Sequence, residues 1–119
     1  MTEMIFYEVT AWTLAAVTSG ASIEVSAVAK NTVLDHTTPY EPQFGTEVAH
    51  AAVGMGREEA NRICLDLVGR YEKDLPNPPP GKRFQECFDI ETSTSTQEYR
   101  DFYKTMKKKI HELGVPLKG

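Results

Sequence analysis

Five polar residues in the stretch 24–41 stand where side-chain chemistry could matter: Glu24, Ser26, Asp35, His36 and Glu41. Glu24 and Ser26 lie on the polar side of an alternating run, Ser22-Ile23-Glu24-Val25-Ser26-Ala27-Val28. In a half-exposed sheet they would face water. In a closed parallel barrel that face points into the lumen, where a carboxylate is costly unless it is paired or used. Asp35, His36 and Glu41 follow in a loop, and barrel chemistry gathers in the loops beyond the C-terminal ends of strands. The plainer reading of Glu41, set between Pro39 and Pro42, is that it shapes the loop and points to water.

The remaining reactive residue types give less. His36, His50 and His111 are not spaced with Cys64 or Cys87 as metal ligands, so no metal site is expected. Cys64 falls on an apolar helical stripe and reads as a core residue. His50, three residues after Glu47, reads as half of an exposed ion pair. Lys107, Lys108 and Lys109 read as a solvated helix end, with a docking patch for an acidic partner as the alternative. Gly81-Lys82-Arg83 lacks the length and glycine spacing of a phosphate loop.

These residues need elements to hold them. Thr2 can cap a first helix reaching about Ser19, with Gly20 as its stop. Its apolar residues, among them Phe6, Val9, Trp12 and Leu14, cover most of the circumference, so burial on more than one side is expected. The alternating run 22–28 is the one convincing strand pattern, with Asn31–Leu34 a weaker second. A strand without neighbours leaves backbone groups unpaired, so its partners are expected elsewhere. A loop over Asp35–Pro42 precedes a short helix with Phe44, Val48, Ala51, Ala52 and Met55 on one face. From Arg57, the residues Ala60, Ile63, Cys64, Leu67, Val68 and Tyr71 make an amphipathic stripe that ends before the proline run at Pro76. Phe84–Ile90 reads as a connector. Ser95 and Glu98 suggest a capping box for a last helix burying Tyr99, Phe102, Tyr103, Met106, Ile110 and Leu113, closed by Gly114 and Pro116.

The fold class is therefore mainly α with one short strand. At 119 residues with 40% apolar content, one modest domain is expected rather than a disordered chain. A net charge of −4, with 17 acids against 13 Lys+Arg, argues against nucleic acid as the main partner. No apolar run approaches bilayer length, and the acidic N-terminus is unlike a signal peptide, so a cytoplasmic location without membrane contact is expected.

Two blocks carry a family resemblance: Thr37-Thr38-Pro39-Tyr40-Glu41-Pro42-Gln43-Phe44-Gly45-Thr46-Glu47-Val48-Ala49-His50, and Gly81-Lys82-Arg83-Phe84-Gln85-Glu86-Cys87-Phe88-Asp89-Ile90-Glu91. Both resemble the C-terminal region of monomethylamine methyltransferases, the pyrrolysine-containing, corrinoid-dependent enzymes of methanogenesis from methylamine, and the similarity covers nearly the whole chain. The resemblance implies the C-terminal piece of a (β/α)8 TIM-type barrel plus C-terminal helices. Residues 1–42 would be the last helix, strand and loop of the barrel, and residues 43–119 a helical extension. It implies transfer of a methyl group to the cobalt of a cognate corrinoid protein. That corrinoid belongs to the partner, and this chain binds no cofactor of its own. The remainder of the barrel is a further expected partner, within a homo-oligomer.

No position here corresponds to the pyrrolysine, so catalysis is expected to lie outside these residues. Because its codon is otherwise read as stop, Met1 is expected to be internal to a longer reading frame. On its own the chain is expected to associate or fold poorly, with Phe6, Trp12 and the Ile23/Val25 face short of cover. The alternative is a free-standing helical interaction module.

Overall fold

Thr2 caps the first helix as expected: its Oγ1 accepts from the Ile5 amide at 3.2 Å, and α1 runs Glu3–Thr18. Gly20 then takes φ 82°, a left-handed conformation that turns the chain out of the helix at no cost to a side chain. The structure is a computed structural model that describes residues 2–24 and 34–118. Of the alternating run, residues 22–24 are described and are not in a strand; residues 25–28 lie outside the described residues, as does 31–33 of the second candidate.

Three further long helices follow, α2 at Tyr40–Ala52, α3 at Arg57–Tyr71 and, last in the chain, a 16-residue helix at Gln97–Glu112. A 3-10 turn at Glu72–Asp74 extends α3 toward the proline run. Phe84–Ile90 is more than a connector. It forms a one-turn helix, α4 at Phe84–Cys87, and a strand, β1 at Phe88–Asp89. This strand pairs antiparallel with β2 at Thr94–Ser95, Phe88 opposite Ser95 and Asp89 opposite Thr94. The last helix, α5, is capped by Thr96 rather than Ser95, because Thr96 Oγ1 accepts from the Tyr99 amide at 3.2 Å. Ser95 is used otherwise, its Oγ meeting Tyr40 Oη at 2.7 Å.

The helix expected from Phe44 begins four residues earlier, at Tyr40. Pro42 is tolerated there because a first-turn residue needs no amide donor. The Asp35–Pro42 loop therefore ends at Pro39, and a domain boundary at residue 42 would fall within α2.

The apolar circumference of α1 is explained by its neighbours. Met4, Ile5, Phe6, Tyr7, Val9, Ala11 and Leu14 are buried, and the helix packs against both α2 and α3, with α5 closing over Phe6. Phe6 is 1% exposed, its ring 4.7 Å from Phe44 and 5.5 Å from Phe102. The expectation that Phe6 lacks cover is overturned: helices that follow it in the same chain supply it. Trp12 does remain at the surface. A smaller cluster of Cys87, Phe88 and Tyr99 joins the hairpin to α5.

Candidate functional site

The short segment between Leu34 and Tyr40 is clamped from three directions. Asp35 adopts φ 63°, a left-handed conformation that Asp tolerates better than most residues. That bend aims its carbonyl at the Phe84 amide, 2.6 Å away, while its Oδ2 accepts from Gln85 Nε2 at 3.0 Å. His36 is buried, and its Nδ1 lies 2.7 Å from the Pro80 carbonyl oxygen. A proline carbonyl can only accept, so Nδ1 carries the proton. Pro80 ends the proline run, so that run serves as a rigid strut against the loop.

The third clamp is polar and buried. Glu41, the second residue of α2, is 2% exposed, and its Oε2 accepts from the Thr38 amide at 3.0 Å, from Thr38 Oγ1, and from Tyr99 Oη at 3.1 Å. Thr38 Oγ1 also receives the Tyr40 amide at 3.1 Å and lies 2.5 Å from Tyr99 Oη. Burial, reinforced by the adjacent Glu41 carboxylate, pushes the Tyr99 phenol far above its ordinary range. It therefore stays a donor at any physiological pH. A helix N-terminus also favours a carboxylate at this position. The arrangement fixes the start of α2 to the start of α5.

The candidates from the sequence thus separate. Glu41 does not point to water, and it and His36 are interior groups tied to fixed partners. Asp35 and Glu24 are exposed carboxylates, and Ser26 lies outside the described residues. Tyr99, the residue that completes the Glu41 clamp, was legible only as a core aromatic; a phenol reaching a carboxylate 58 residues away leaves no local signal.

Glu47 does not pair with His50. It is half-buried and accepts from Tyr103 Oη at 3.0 Å while pairing with Lys107 Nζ at 2.9 Å. Burial and the Glu47 carboxylate hold the Tyr103 phenol well above its usual range. The lysine run is likewise not simply solvated, since Lys109 reaches across to Glu3. Cys64 sits half-buried beside the core, with its thiol 3.2 Å from the Ala11 carbonyl. Burial raises the pKa of both Cys64 and Cys87, away from reactive thiolate. Among the described residues no group of three or more His, Cys, Asp or Glu side chains is placed to hold a metal ion, and no helix is long and apolar enough to cross a membrane.

Compared with known proteins, residues 1–115 match the family described as monomethylamine methyltransferase MtmB. The chain is 42% identical over 115 residues to monomethylamine methyltransferase MtmB1 of Methanosarcina acetivorans, covering 96% of this chain and 25% of that protein. It is 41% identical, with the same coverage, to MtmB of Methanosarcina mazei. The crystal structure of the Methanosarcina barkeri monomethylamine methyltransferase superposes with a TM-score of 0.88 at 41% identity, over 96% of this chain and 25% of that one. The chain thus spans about a quarter of the length of the curated relatives it matches, and corresponds to their C-terminal part.

Proposed function

The chain belongs to the monomethylamine methyltransferase family, and we propose that it forms the C-terminal part of an enzyme moving the methyl group of monomethylamine to the cobalt of a corrinoid protein. The observation that carries this reading is the similarity to that crystal structure, 41% identity over 96% of the chain at a TM-score of 0.88. The matched residues 1–115 include the clamped segment as well as the core.

In this reading the body of the enzyme is a (β/α)8 barrel that holds the reacting group, and these residues brace its mouth. The clamp at Asp35, His36 and Glu41 fixes a loop of the kind that gathers at the active face of such barrels. His36 and Glu41 act as positioning residues. Asp35 and Glu24, open to solvent, contribute negative potential toward a cationic amine. The corrinoid belongs to a partner protein, and the assembly is a cytoplasmic homo-oligomer.

One observation favours a second reading, a free-standing helical module: the core around Phe6, Phe44, Leu67 and Ile110 is closed by this chain's own helices. A chimera separates the two. The C-terminal quarter of the Methanosarcina barkeri enzyme is replaced by this chain and supplied with methylamine and reduced corrinoid protein. A methyl-cobalt band in the visible spectrum is expected from the chimera and none from the 119-residue chain alone. A folded chimera without the band overturns the methyltransferase reading, and a band from the chain alone overturns the placement of catalysis outside it.

A further inference from the structure

Charge in this molecule is segregated. The chain carries a net charge of −4, yet residues 104–118 hold five of its 13 Lys+Arg and one of its 17 acids. Much of that charge lines a groove of about 580 Å³ between α2, α5 and the C-terminal segment, with Lys104, Lys107, Lys108, His111 and Lys118 on its walls. Tyr103 and Leu117, both nearly buried, form an apolar floor. An adjoining hollow shares Glu47, Lys107 and Lys118 and extends the groove toward His50.

The one acid in the groove is already committed, since Glu47 is neutralised by Lys107 and hydrogen-bonded by Tyr103. Lys108 only grazes Glu112, at 4.0 Å with 79% of its side chain exposed. Among the described residues no carboxylate lies within 4.0 Å of Lys104 or Lys118. Lys104 and Lys108 stand four residues apart on one helix face, a spacing at which like charges repel. With His111 the stripe runs about 10 Å along the α5 axis.

We propose that this groove binds an acidic stretch of a partner polypeptide, with carboxylates spaced along the α5 stripe and an apolar side chain over Tyr103 and Leu117. The length of the stripe suits an extended polyanion better than one compact oxyanion. The net negative charge of the chain and the absence of an exposed aromatic platform in the groove disfavour nucleic acid. The proposal does not depend on which reaction the family chemistry serves.

The test is a titration of the isotopically labelled 119-residue chain with a decapeptide of alternating glutamate and leucine, followed by amide NMR shifts. Saturable shifts are expected at Lys104, Lys108, His111 and Lys118, and affinity should fall about tenfold or more between low salt and 0.3 M as screening shortens the field. Lys104→Glu with Lys108→Glu, or Lys118→Glu alone, should weaken binding several-fold with unchanged far-UV circular dichroism, while Lys73→Glu leaves it unchanged. Shifts elsewhere, insensitivity to the groove variants, equal competition by inorganic phosphate, or tighter binding of a single-stranded RNA of the same charge would each overturn it. So would loss of binding in the folded full-length chimera, which would mean that the enzyme's own body fills the groove.

Discussion

At the scale of single residues, the Glu41–Thr38–Tyr99 cluster and the Glu47–Tyr103 pair share one design, a carboxylate that accepts from a phenol whose pKa is raised by burial. Removing the phenolic oxygen leaves Glu41 with one donor fewer in a site closed to water. Tyr99→Phe should therefore cost about 1–3 kcal/mol of stability, read from urea unfolding. The same geometry makes a pH prediction. Both phenols have folded pKa values raised above the unfolded value of about 10, so the unfolded chain loses these protons first. Their contribution is intact below pH 10 and is lost as pH rises beyond it, by about 1.4 kcal/mol per pH unit for each tyrosine. Urea midpoints measured between pH 9 and 11.5 should show that descent, and a Tyr99→Phe/Tyr103→Phe variant should flatten it. An equal slope in the double variant would mean that other groups, such as Lys82 and Lys109, carry the alkaline dependence.

At the scale of elements, periodicity told most where one helix face meets one core. The stripes of α3 and α5 were legible because Ala60, Ile63 and Leu67, or Tyr99, Tyr103, Met106 and Ile110, recur at helical spacing and are buried accordingly. The ends were less legible. Tyr40-Glu41-Pro42 reads as loop because proline and a buried acid argue against a helix core, and only the distant Tyr99 makes the acid acceptable there. Ser95 and Thr96 are equivalent as caps by type, and the choice is made by Tyr40 and Arg100, which engage Ser95. The hairpin of β1 and β2 has two residues per strand, too short for any alternation to register. The apolar wrap of α1 implies burial on several sides, and α2, α3 and α5 of the same chain supply the cover. That cover is testable by substitution. Phe6→Ala removes a ring packed against Phe44, Phe102 and Tyr103 and should cost about 3–5 kcal/mol. Trp12→Ala, at a residue 36% exposed, should cost about 1 kcal/mol or less. Comparable losses in thermal or urea unfolding would return Phe6 to a surface role.

At the scale of the whole molecule, the question is whether a quarter of a larger enzyme's length can hold itself together. The sequence suggested poor folding in isolation, on the argument that an all-round apolar helix needs a second polypeptide. In the structure α1 is the central element: α2 and α3 flank it, α5 caps Phe6, and Lys109 ties α5 back to Glu3 in the first turn of α1. Among the described residues the large apolar side chains left exposed are Trp12, Leu34, Val53, Leu65, Leu75 and Ile90, spread along the chain. Scattered apolar residues of this kind are ordinary on a soluble surface. Local stability should then follow burial, highest where helices enclose one another and lowest at the hairpin and the proline run. Amide hydrogen exchange on the dilute 119-residue chain should show the slowest exchange at 4–14 in α1, followed by 63–67 in α3 and 106–110 in α5. Exchange at 84–96 should be faster by orders of magnitude, because two-residue strands bury few of their own hydrogen bonds. Rapid exchange throughout α1, with protection confined to α3 and α5, would show that α1 needs the remainder of a barrel to hold it.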